Sequence, residues 1–385
     1  MELVTLLLLI IVVEETLLFL WMKFVLKGLK FVRTISEDTA YVGDQIAVTV
    51  ESYNYKVLPI PWIRYTEDIP HHMLVHGPKL DVTKTKLNND LITVTSLFSF
   101  QKITRRYIVE PTQRGDYFFK DVFLEIGDFF GAHKRSEKFE APHRLVVYPK
   151  VYPLSKLLKI DDNPQGEVSV NRWIIPDPID VVGVRQYTGQ EPFNRIDWKA
   201  TAKTNDLQVR QYDFHADPSI MILVSLQTNE VEWFERDNEL AERMIVVAAS
   251  IVEEAAMNRV SVGLSMTATL SNGAVLDPIL PKRHKNQRIV LLDALAKATY
   301  YNTKDLSYLL KQTSKQINNT QTLVIVASIF DELTIQQINS YVKKGYKIIL
   351  LTFEDTVIEG LNKHITIHYI TEEDIHYITE SDVTV

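Results

Sequence analysis

The sequence of 385 residues contains no cysteine. Disulfide frameworks, thiolate metal sites and cysteine nucleophiles are therefore excluded. Three common motifs are also missing: the GxxxxGK phosphate-binding loop, the GxGxxG turn between a strand and a helix, and the GxSxG elbow of α/β hydrolases. Their absence disfavours the corresponding nucleotide-binding proteins and serine hydrolases.

The chain also lacks an excess of basic residues, since its formal net charge is -7 and its pI is about 5.9. Proteins that bind nucleic acids usually carry a basic face, so the charge argues against a nucleic-acid partner. A hydrophobic content of 46% with 24% charged residues is typical of a folded protein. The length predicts two or three domains.

A long apolar segment opens the chain. Residues 3–22 are predominantly apolar and reach the length that a helix needs to cross a bilayer. Glu14 and Glu15 interrupt the segment, and each costs about 2.5 to 3.5 kcal/mol near the membrane centre. The many Leu, Ile, Val and Phe residues, at roughly 0.3 to 0.6 kcal/mol each, outweigh that cost. The sequence predicts a transmembrane helix, with an interfacial or hairpin segment as the alternative.

The flanking charges predict the orientation of this helix. No Lys or Arg precedes the apolar segment, whereas Lys23, Lys27, Lys30 and Arg33 follow it. By the positive-inside rule, the chain after residue 33 lies in the cytoplasm. A cleaved signal peptide is disfavoured, because no basic residue precedes the apolar run and no small-residue cleavage site follows it. We therefore expect a single-pass protein of the cell membrane with its bulk in the cytoplasm.

Two different periodicities follow the apolar segment, and they predict an all-β part and an α/β part. Alternating apolar and polar residues predict strands at 44–52, 91–100, 102–109, 117–126 and 145–148, typical of a small β-sandwich. The proline-rich residues 58–70 are expected at an edge or in a loop. Further on, apolar runs predict strands at 219–226, 260–266, 322–328, 347–353 and 365–370. Helical spacing predicts helices at 235–258, 288–298, 304–317 and 333–344.

Alternation of strands and helices is typical of a doubly wound, mostly parallel sheet. The predicted organisation is a membrane anchor at 1–30, a β-sandwich at 31–150, a junction at 151–216 and an α/β domain at 217–385.

The junction contains the densest group of chemically distinctive residues. These are Arg185, Tyr187, Arg195, Asp197, Trp198, Lys199 and Arg210. Arg and Asp are rarely buried unless paired, so the segment is interpreted as a packed, hydrogen-bonded junction. Asp197 is expected to receive Arg185 or Arg195, with Trp198 packed nearby, which would clamp the sandwich to the α/β domain.

Two other roles are open to the same residues. They could line a surface that receives an acidic or C-terminal segment of a partner protein, with Arg and Trp as anchors. A catalytic role is disfavoured, because a nucleophile and base constellation is missing from the stretch. We therefore expect a protein that is not an enzyme.

Open parallel sheets bind ligands at the carboxyl ends of their strands. The strand predicted at 219–226 has Ser225 at its end and is followed by Gln227 and Asn229, and the strand predicted at 322–328 is followed by Asp331. Divalent cations favour sites with carboxylate ligands. The strand predicted at 219–226 is followed at residues 227–229 by hydroxyl and amide groups only. We therefore expect neither a tightly held metal ion nor a cofactor.

The junction resembles the signature of the bacterial domain-of-unknown-function 58 family. The matching positions are Gly183, Arg185, Tyr187, Arg195, Ile196, Asp197, Trp198, Lys199, Ala202, Leu207, Val209 and Arg210, with Lys203 where the family has Arg. The acidic residue expected soon after Gly189 is displaced to Glu191. Upstream, Pro111, Arg114, Gly115 and Tyr117 resemble a second family motif, and residues 128–131 resemble a third with Phe129 in place of proline.

This resemblance implies an N-terminal anchor, a β-rich domain and a C-terminal domain similar to von Willebrand factor type A domains. It also implies a MoxR-type AAA+ ATPase and a transglutaminase-like membrane protein as partners. No catalysed reaction is established for the family. Type A domains often carry an Asp-x-Ser-x-Ser metal site, whose matching positions here are Ser225, Gln227 and Asn229. The leading aspartate is absent.

The expected function is a membrane-anchored, non-enzymatic scaffold or adaptor in the assembly or maturation of other proteins. The alternative is a cell-surface adhesion module that binds a ligand or a divalent metal.

Overall fold

The structure is a computed structural model of the full chain. It describes residues 2–77, 81–84, 89–128, 133–154, 179–189, 193, 196–214, 219–229, 237–353, 358–363 and 365–370. The chain divides into two compact units, Met1–Pro149 and Lys150–Val385. We call them the β unit and the α/β unit and describe each by itself.

Helix α1 opens the β unit at Glu2–Phe24. Within Leu3–Phe24, the most apolar stretch of 18 residues has a mean hydropathy of 2.6, and none of it is buried. At about 1.5 Å per residue, the helix is long enough to cross a bilayer. The predicted apolar helix is therefore present.

The C-terminal part of α1 contacts the rest of the β unit. Arg135 Nη1 donates to the Met22 carbonyl oxygen at 2.9 Å, and His133 Nε2 lies 3.6 Å from a Glu15 carboxylate oxygen. One of the two glutamates in the apolar segment therefore lies close to a polar side chain of the same unit. Polar side chains in membrane helices commonly take such partners.

Twelve strands follow α1 in the described part of the β unit. They are β1 (Leu29–Ile35), β2 (Thr39–Tyr41), β3 (Ile46–Asn54), β4 (Ile60–Ile69), β5 (Met73–His76), β6 (Asp81–Lys84), β7 (Asn89–Leu97), β8 (Lys102–Pro111), β9 (Gly115–Phe119), β10 (Val122–Gly127), β11 (Lys134–Phe139) and β12 (His143–Tyr148). Their sheets have the orders β1-β3-β8-β5, β11-β10-β4-β7-β6 and β2-β12-β9.

Side chains from all three sheets meet in one core. Along β3, every second residue from Ile46 is buried, as the alternation in sequence predicts. The apolar ones, Ile46, Val48 and Val50, join side chains of the other sheets in a single buried cluster, among them Ile63 from β4, Leu124 from β10 and Leu145 from β12. Burial of this shared cluster holds the sheets together.

The structure corrects two predictions in this unit. Residues 58–70 were expected at an edge or in a loop, but β4 lies inside its sheet between β10 and β7. The prolines are accommodated because Pro59 and Pro70 flank the strand and Pro61 lies where the pairing with β7 shifts register. The single strand expected at 117–126 is instead β9 and β10, which belong to different sheets.

The described part of the α/β unit contains five helices and ten strands. The helices are α2 (Trp198–Thr204), α3 (Asn238–Met257), α4 (Gln287–Lys297), α5 (Leu306–Thr313) and α6 (Glu332–Lys343). The strands are β13 (Ile179–Gln186), β14 (Gln208–Phe214), β15 (Ser219–Val224), β16 (Ser261–Met266), β17 (Ala268–Leu270), β18 (Ile279–Lys282), β19 (Ala298–Asn302), β20 (Thr322–Val326), β21 (Lys347–Phe353) and β22 (Thr366–Ile370).

A six-stranded sheet with the order β18-β16-β15-β20-β21-β22 forms the centre of this unit. Neighbouring strands from β16 to β22 run parallel, and β18 is antiparallel at the edge. All but one residue of β15 is buried, and β20 is buried throughout, as expected for strands covered on both faces. The five strands and four helices predicted here are confirmed, with ends shifted by a few residues.

Strand β18 was not predicted. It is four residues long and contains Pro281, so its sequence lacks the signal of a central strand. Only its antiparallel pairing with β16 defines it. At that contact, a Cβ atom on Gly263 would lie 2.5 Å from the Ile279 carbonyl oxygen, so the close approach of the two strands requires glycine.

Candidate functional site: a hairpin module with exposed aromatic residues

Strands β13 and β14 pair antiparallel and carry α2 in the segment that connects them. The register places Val184 opposite Arg210 and Arg185 opposite Val209. The connecting segment is anchored at both ends, because Tyr187 N donates to Leu207 O at 2.8 Å and Asp197 N donates to Gln208 O at 2.8 Å. We call β13, β14 and their connecting segment the hairpin module.

Asp197 organises the module as the residue that caps α2. Its Oδ1 accepts hydrogen bonds from the backbone N–H groups of Lys199 and Ala200, both at 3.0 Å. Its Oδ2 accepts from Arg210 Nε at 3.3 Å. The backbone bond from Ala200 and the Arg210 guanidinium hold the pKa of the Asp197 carboxyl below its usual value. The group is therefore an anion at neutral pH.

Among the described residues, Arg210 from β14 is the arginine that pairs with Asp197. Arg185 or Arg195 was predicted in this role. Arg195 lies outside the described residues, so its pairing with Asp197 stays a prediction. The Arg185 side chain is exposed, and its Nη1 donates to the Gln186 carbonyl oxygen at 3.3 Å. The hairpin register explains the difference, because it brings β14 against the segment that precedes α2.

A small core stabilises the module from within. Ile196 and Val209 are only 3% and 1% exposed, and they form a β-bridge. Gln208 N donates to Thr201 Oγ1 at 3.0 Å, which ties α2 to β14. Asn205 ends the helix in a left-handed conformation with φ of 59°. The local fold therefore has support that does not involve the aromatic side chains.

Trp198 is exposed rather than packed, which corrects the expectation from the sequence. It is 64% exposed, and Phe193 is 69% exposed. Trp198 is the first of the seven residues of helix α2, and none of the seven is buried. The clamp interpretation depended on a packed Trp198 and loses that support.

Several basic and apolar side chains of the module are exposed to solvent. The Phe193 ring lies 6.1 Å from the Tyr187 ring, and Val184 and Leu207 are 47% and 39% exposed. Within the described part of the module, the exposed basic residues are Arg185, Lys199, Lys203 and Arg210. Aromatic residues and arginine are enriched in the centres of protein interfaces, and exposed apolar groups often mark such sites. The arrangement can bind a peptide or protein surface.

Phe193 was not among the candidate site residues predicted from the sequence. A single phenylalanine between Pro192 and Asn194 carries no periodic signal, so only its exposure in the folded module distinguishes it.

The carboxyl ends of β15 and β20 form a second region that the sequence singled out. Ser225 is buried, and Gln227 Nε2 donates to the Asn229 carbonyl oxygen at 3.1 Å. Ser328 Oγ donates to the Gln227 carbonyl oxygen at 3.0 Å, and Asp331 caps α6 by accepting from Thr334 N at 3.1 Å. These polar groups brace the loops at the end of the sheet.

The described part of the chain contains no group of three or more His, Asp or Glu side chains arranged to hold a metal ion. Residues 230–236, which follow the loop after β15, lie outside the described residues.

Two solved structures show faint similarity to this chain. A CARDB domain from Pyrococcus furiosus is 14% identical and covers 32% of this chain and 94% of its own, with a TM-score of 0.21. A non-cellulosomal cohesin from Archaeoglobus fulgidus is 12% identical and covers 31% and 91%, with a TM-score of 0.22. Both scores are too low to bear on fold or function.

A curated relative and a family model give the more specific matches. The uncharacterized protein YeaD of Bacillus subtilis is 22% identical over 244 residues, which cover 62% of this chain and 56% of that protein. The match thus spans little more than half the length of the relative. The hairpin module from Gly183 onward and most of the six-stranded sheet lie within residues 183–362, and this segment matches the family described as "Protein of unknown function DUF58".

Proposed function

We propose that this protein is a membrane-anchored, non-enzymatic scaffold or adaptor that binds a partner protein on the exposed part of its hairpin module. The observation that carries the proposal is the exposure of Phe193 and Trp198, at 69% and 64%, on a module with its own core. Large aromatic side chains are costly to leave in water and act as anchors when a partner covers them.

The charge of the module supports an acidic partner segment. The described residues of the module include four exposed basic side chains, and Asp197 already has Arg210 and two backbone N–H groups as partners. Arginine and lysine around an aromatic anchor attract carboxylates and increase association rates. An acidic or C-terminal segment of the partner fits this chemistry.

Membrane anchoring through α1 is part of the proposal. Length and hydropathy of the helix support it, and the lysines after it support a cytoplasmic position for the rest of the chain. Arg33, also counted among the flanking charges, lies buried in the β unit and pairs with Glu67 at 3.5 Å.

The partners follow from the family resemblance alone. A MoxR-type AAA+ ATPase is the first candidate and a transglutaminase-like membrane protein the second, and the process served is the assembly or maturation of other proteins. Because the partners are inferred by analogy with the family, binding of each candidate is tested directly.

We also propose that the six-stranded sheet is a doubly wound domain similar to von Willebrand factor type A domains. The strand order supports this. The first three strands of the sheet along the chain, β15, β16 and β18, add toward one edge, and the next three, β20, β21 and β22, add toward the other edge. Ser225, Gln227 and Asn229 supply no carboxylate at the position of the metal site. The adhesion module that binds a ligand or divalent metal stays a prediction from sequence.

Binding of the candidate ATPase to variants of the module tests the proposal. The double variant Phe193→Ser with Trp198→Ser should weaken capture of the purified ATPase by at least tenfold, because interface anchors contribute about 2 kcal/mol or more each. The melting temperature should stay unchanged, since both side chains are exposed. Tyr308→Ser, at a residue on α5 that is 49% exposed, is the matched control and should leave capture intact.

Equal capture by the double variant and by Tyr308→Ser would reject the hairpin module as the binding surface. Loss of capture together with a large fall in melting temperature would instead favour the clamp interpretation.

A further inference from the structure

An apolar cleft lies between the C-terminal part of α1 and the loop that connects β3 to β4. Its volume is about 740 Å³. The helix contributes Leu17, Leu20, Trp21 and Phe24, and residues 57–59 of the loop form the opposite wall. Lys27 and Lys56 also line the cleft, and the described residues around it include no carboxylate.

Hydrogen bonds hold the two walls at a fixed separation. Trp21 Nε1 donates to the Pro59 carbonyl oxygen at 3.2 Å, and Tyr55 N donates to the Gly28 carbonyl oxygen at 2.8 Å. Val25, between these contacts, is fully buried in the core of the β unit. The cleft is therefore a built feature of the unit.

The cleft lies along the last two turns of α1. From Leu17 to Phe24 the helix rises about 10 Å, at 1.5 Å per residue. In a membrane-inserted α1, this stretch lies at the boundary between acyl chains and headgroups. The two lysines lie at the end nearer the aqueous phase, and Lys27 Nζ lies 4.9 Å from the centre of the Phe24 ring. Lysine commonly places its stem on apolar groups and its ammonium at the headgroups.

The loops beside the cleft carry large exposed hydrophobic side chains. Val57, Phe98 and Phe100 are 73%, 63% and 68% exposed, and Tyr55 is 59% exposed. The loops are joined to each other, since Phe100 N donates to the Lys56 carbonyl oxygen at 3.2 Å. Aromatic residues are favoured at the interface between membrane and water, so these loop tips suit the same leaflet.

Lys56 supplies a further argument for an anionic ligand. Its Nζ donates to Asn54 Oδ1 at 2.8 Å, and burial lowers its pKa to about 8. A partly buried ammonium is stabilised by an anion that is brought close to it. Acidic lipid headgroups bind basic pockets on membrane helices through this chemistry.

We propose that the cleft binds an anionic phospholipid of the leaflet that α1 enters, with an acyl chain along Leu17 to Phe24 and the phosphate between Lys27 and Lys56. The proposal rests on membrane insertion of α1, which belongs to the proposed function, but it is independent of partner binding at the hairpin module.

Fluorescence quenching by brominated lipids tests this binding. The full-length protein is reconstituted in nanodiscs of zwitterionic phosphatidylcholine with a minor fraction of dibrominated phosphatidylglycerol or dibrominated phosphatidylcholine. The chain has five tryptophans, so the signal of Trp21 is the difference between the parent and Trp21→Phe. We expect the brominated anionic lipid to quench Trp21 several times more strongly than the same fraction of the zwitterionic lipid.

Two double variants separate a defined site from general attraction to the surface. Lys27→Gln with Lys56→Gln should remove the preference for the anionic lipid. Lys23→Gln with Lys30→Gln removes the same charge near the end of α1 but does not alter the cleft lining, and it should retain the preference. Co-purification of phosphatidylglycerol, measured by native mass spectrometry, should follow the same order and does not depend on tryptophan.

Equal quenching by the two brominated lipids overturns the proposal, and so does an equal loss of preference in both double variants. Extraction at alkaline pH checks insertion separately. A protein that stays with the membrane but shows no lipid preference rejects the lipid site and leaves membrane anchoring intact.

Discussion

Two arginine–carboxylate pairs, one in each unit, show how differently the same chemistry is used. In the β unit, Arg33 and Glu67 lie 3.5 Å apart with side chains that are 0% and 4% exposed. In the hairpin module, Arg210 and Asp197 lie 3.3 Å apart with side chains that are 48% and 23% exposed. The first pair is sealed in a core, and the second is open to solvent.

The partners of each pair extend the contrast. Glu67 also accepts from the Tyr107 hydroxyl at 3.0 Å, and Arg33 Nη2 donates to the carbonyl oxygens of Lys120 and Ala141. This network joins strands of different sheets and is structural. Asp197 instead caps a short helix beside exposed aromatic residues. A surface that binds a partner needs such an accessible arrangement, whereas a core needs every charge paired.

The largest effect is expected at the buried pair. Glu67→Ala leaves the Arg33 guanidinium buried without its carboxylate, which should lower the free energy of unfolding by about 3 to 5 kcal/mol. Chemical denaturation of the full chain in detergent measures the change. Glu125→Ala is the control, because its pair with Arg64 at 3.2 Å is partly exposed and should contribute about 0.2 to 1 kcal/mol. Similar losses in both variants would remove the distinction between buried and exposed pairs.

The two carboxylates should also respond to pH in opposite directions. Burial raises the pKa of Glu67 above 4.5 despite Arg33, so its favourable contribution is complete below that pH and is lost as the pH rises through the raised pKa. The pKa of Asp197 is lowered from 3.8, chiefly by the Ala200 backbone bond, so its contribution is present above that pH and is lost as the pH falls through the lowered pKa.

Melting temperatures of the parent, Glu67→Gln and Asp197→Asn measured between about pH 3 and pH 7 check both signs. Parallel pH curves for the parent and both variants would contradict the assignment.

The smallest effect is expected for Arg210→Gln. The Asp197 carboxylate keeps its hydrogen bonds from Lys199 N and Ala200 N, so α2 should remain folded and the melting temperature should change less than in Glu67→Ala. The pKa of Asp197 should rise toward its ordinary value, which side-chain carboxyl NMR can follow. Asp197→Ala removes the cap as well and should have the greater effect. Unfolding of the module by Arg210→Gln would make this pair as structural as the buried one.

Much of the α/β unit was predictable because its signals are local. Apolar strands such as β15 and β21 and the helical spacing of α3 each lie within a short window of sequence. The β unit was predicted less well. Proline is usually confined to edge strands, so Pro59 and Pro61 led to the prediction that β4 lies at an edge. A shift in register between β4 and β7 accommodates Pro61 inside the sheet.

The hairpin module shows why a candidate site is harder to predict than a fold. Asp197 and Arg210 were both singled out, yet their pairing was missed because they are separated by thirteen positions and only the register of β13 and β14 joins them. Trp198 was expected to be packed because tryptophan usually is. The exposure of a side chain depends on which residues surround it in space. For a helix of two turns, the neighbouring sequence does not show which residues those are.

The sequence by itself determined the apolar helix α1, the change from an all-β part to an α/β part, and the group of residues that carries the resemblance to domain-of-unknown-function 58 proteins, because composition and periodicity are properties of neighbouring residues. The tertiary structure alone decided which arginine meets Asp197, that Phe193 and Trp198 face solvent, and that α1 and the β3–β4 loop enclose a cleft. Those features arise from contacts between segments far apart in the chain, and their geometry is fixed only when the sheets and helices pack.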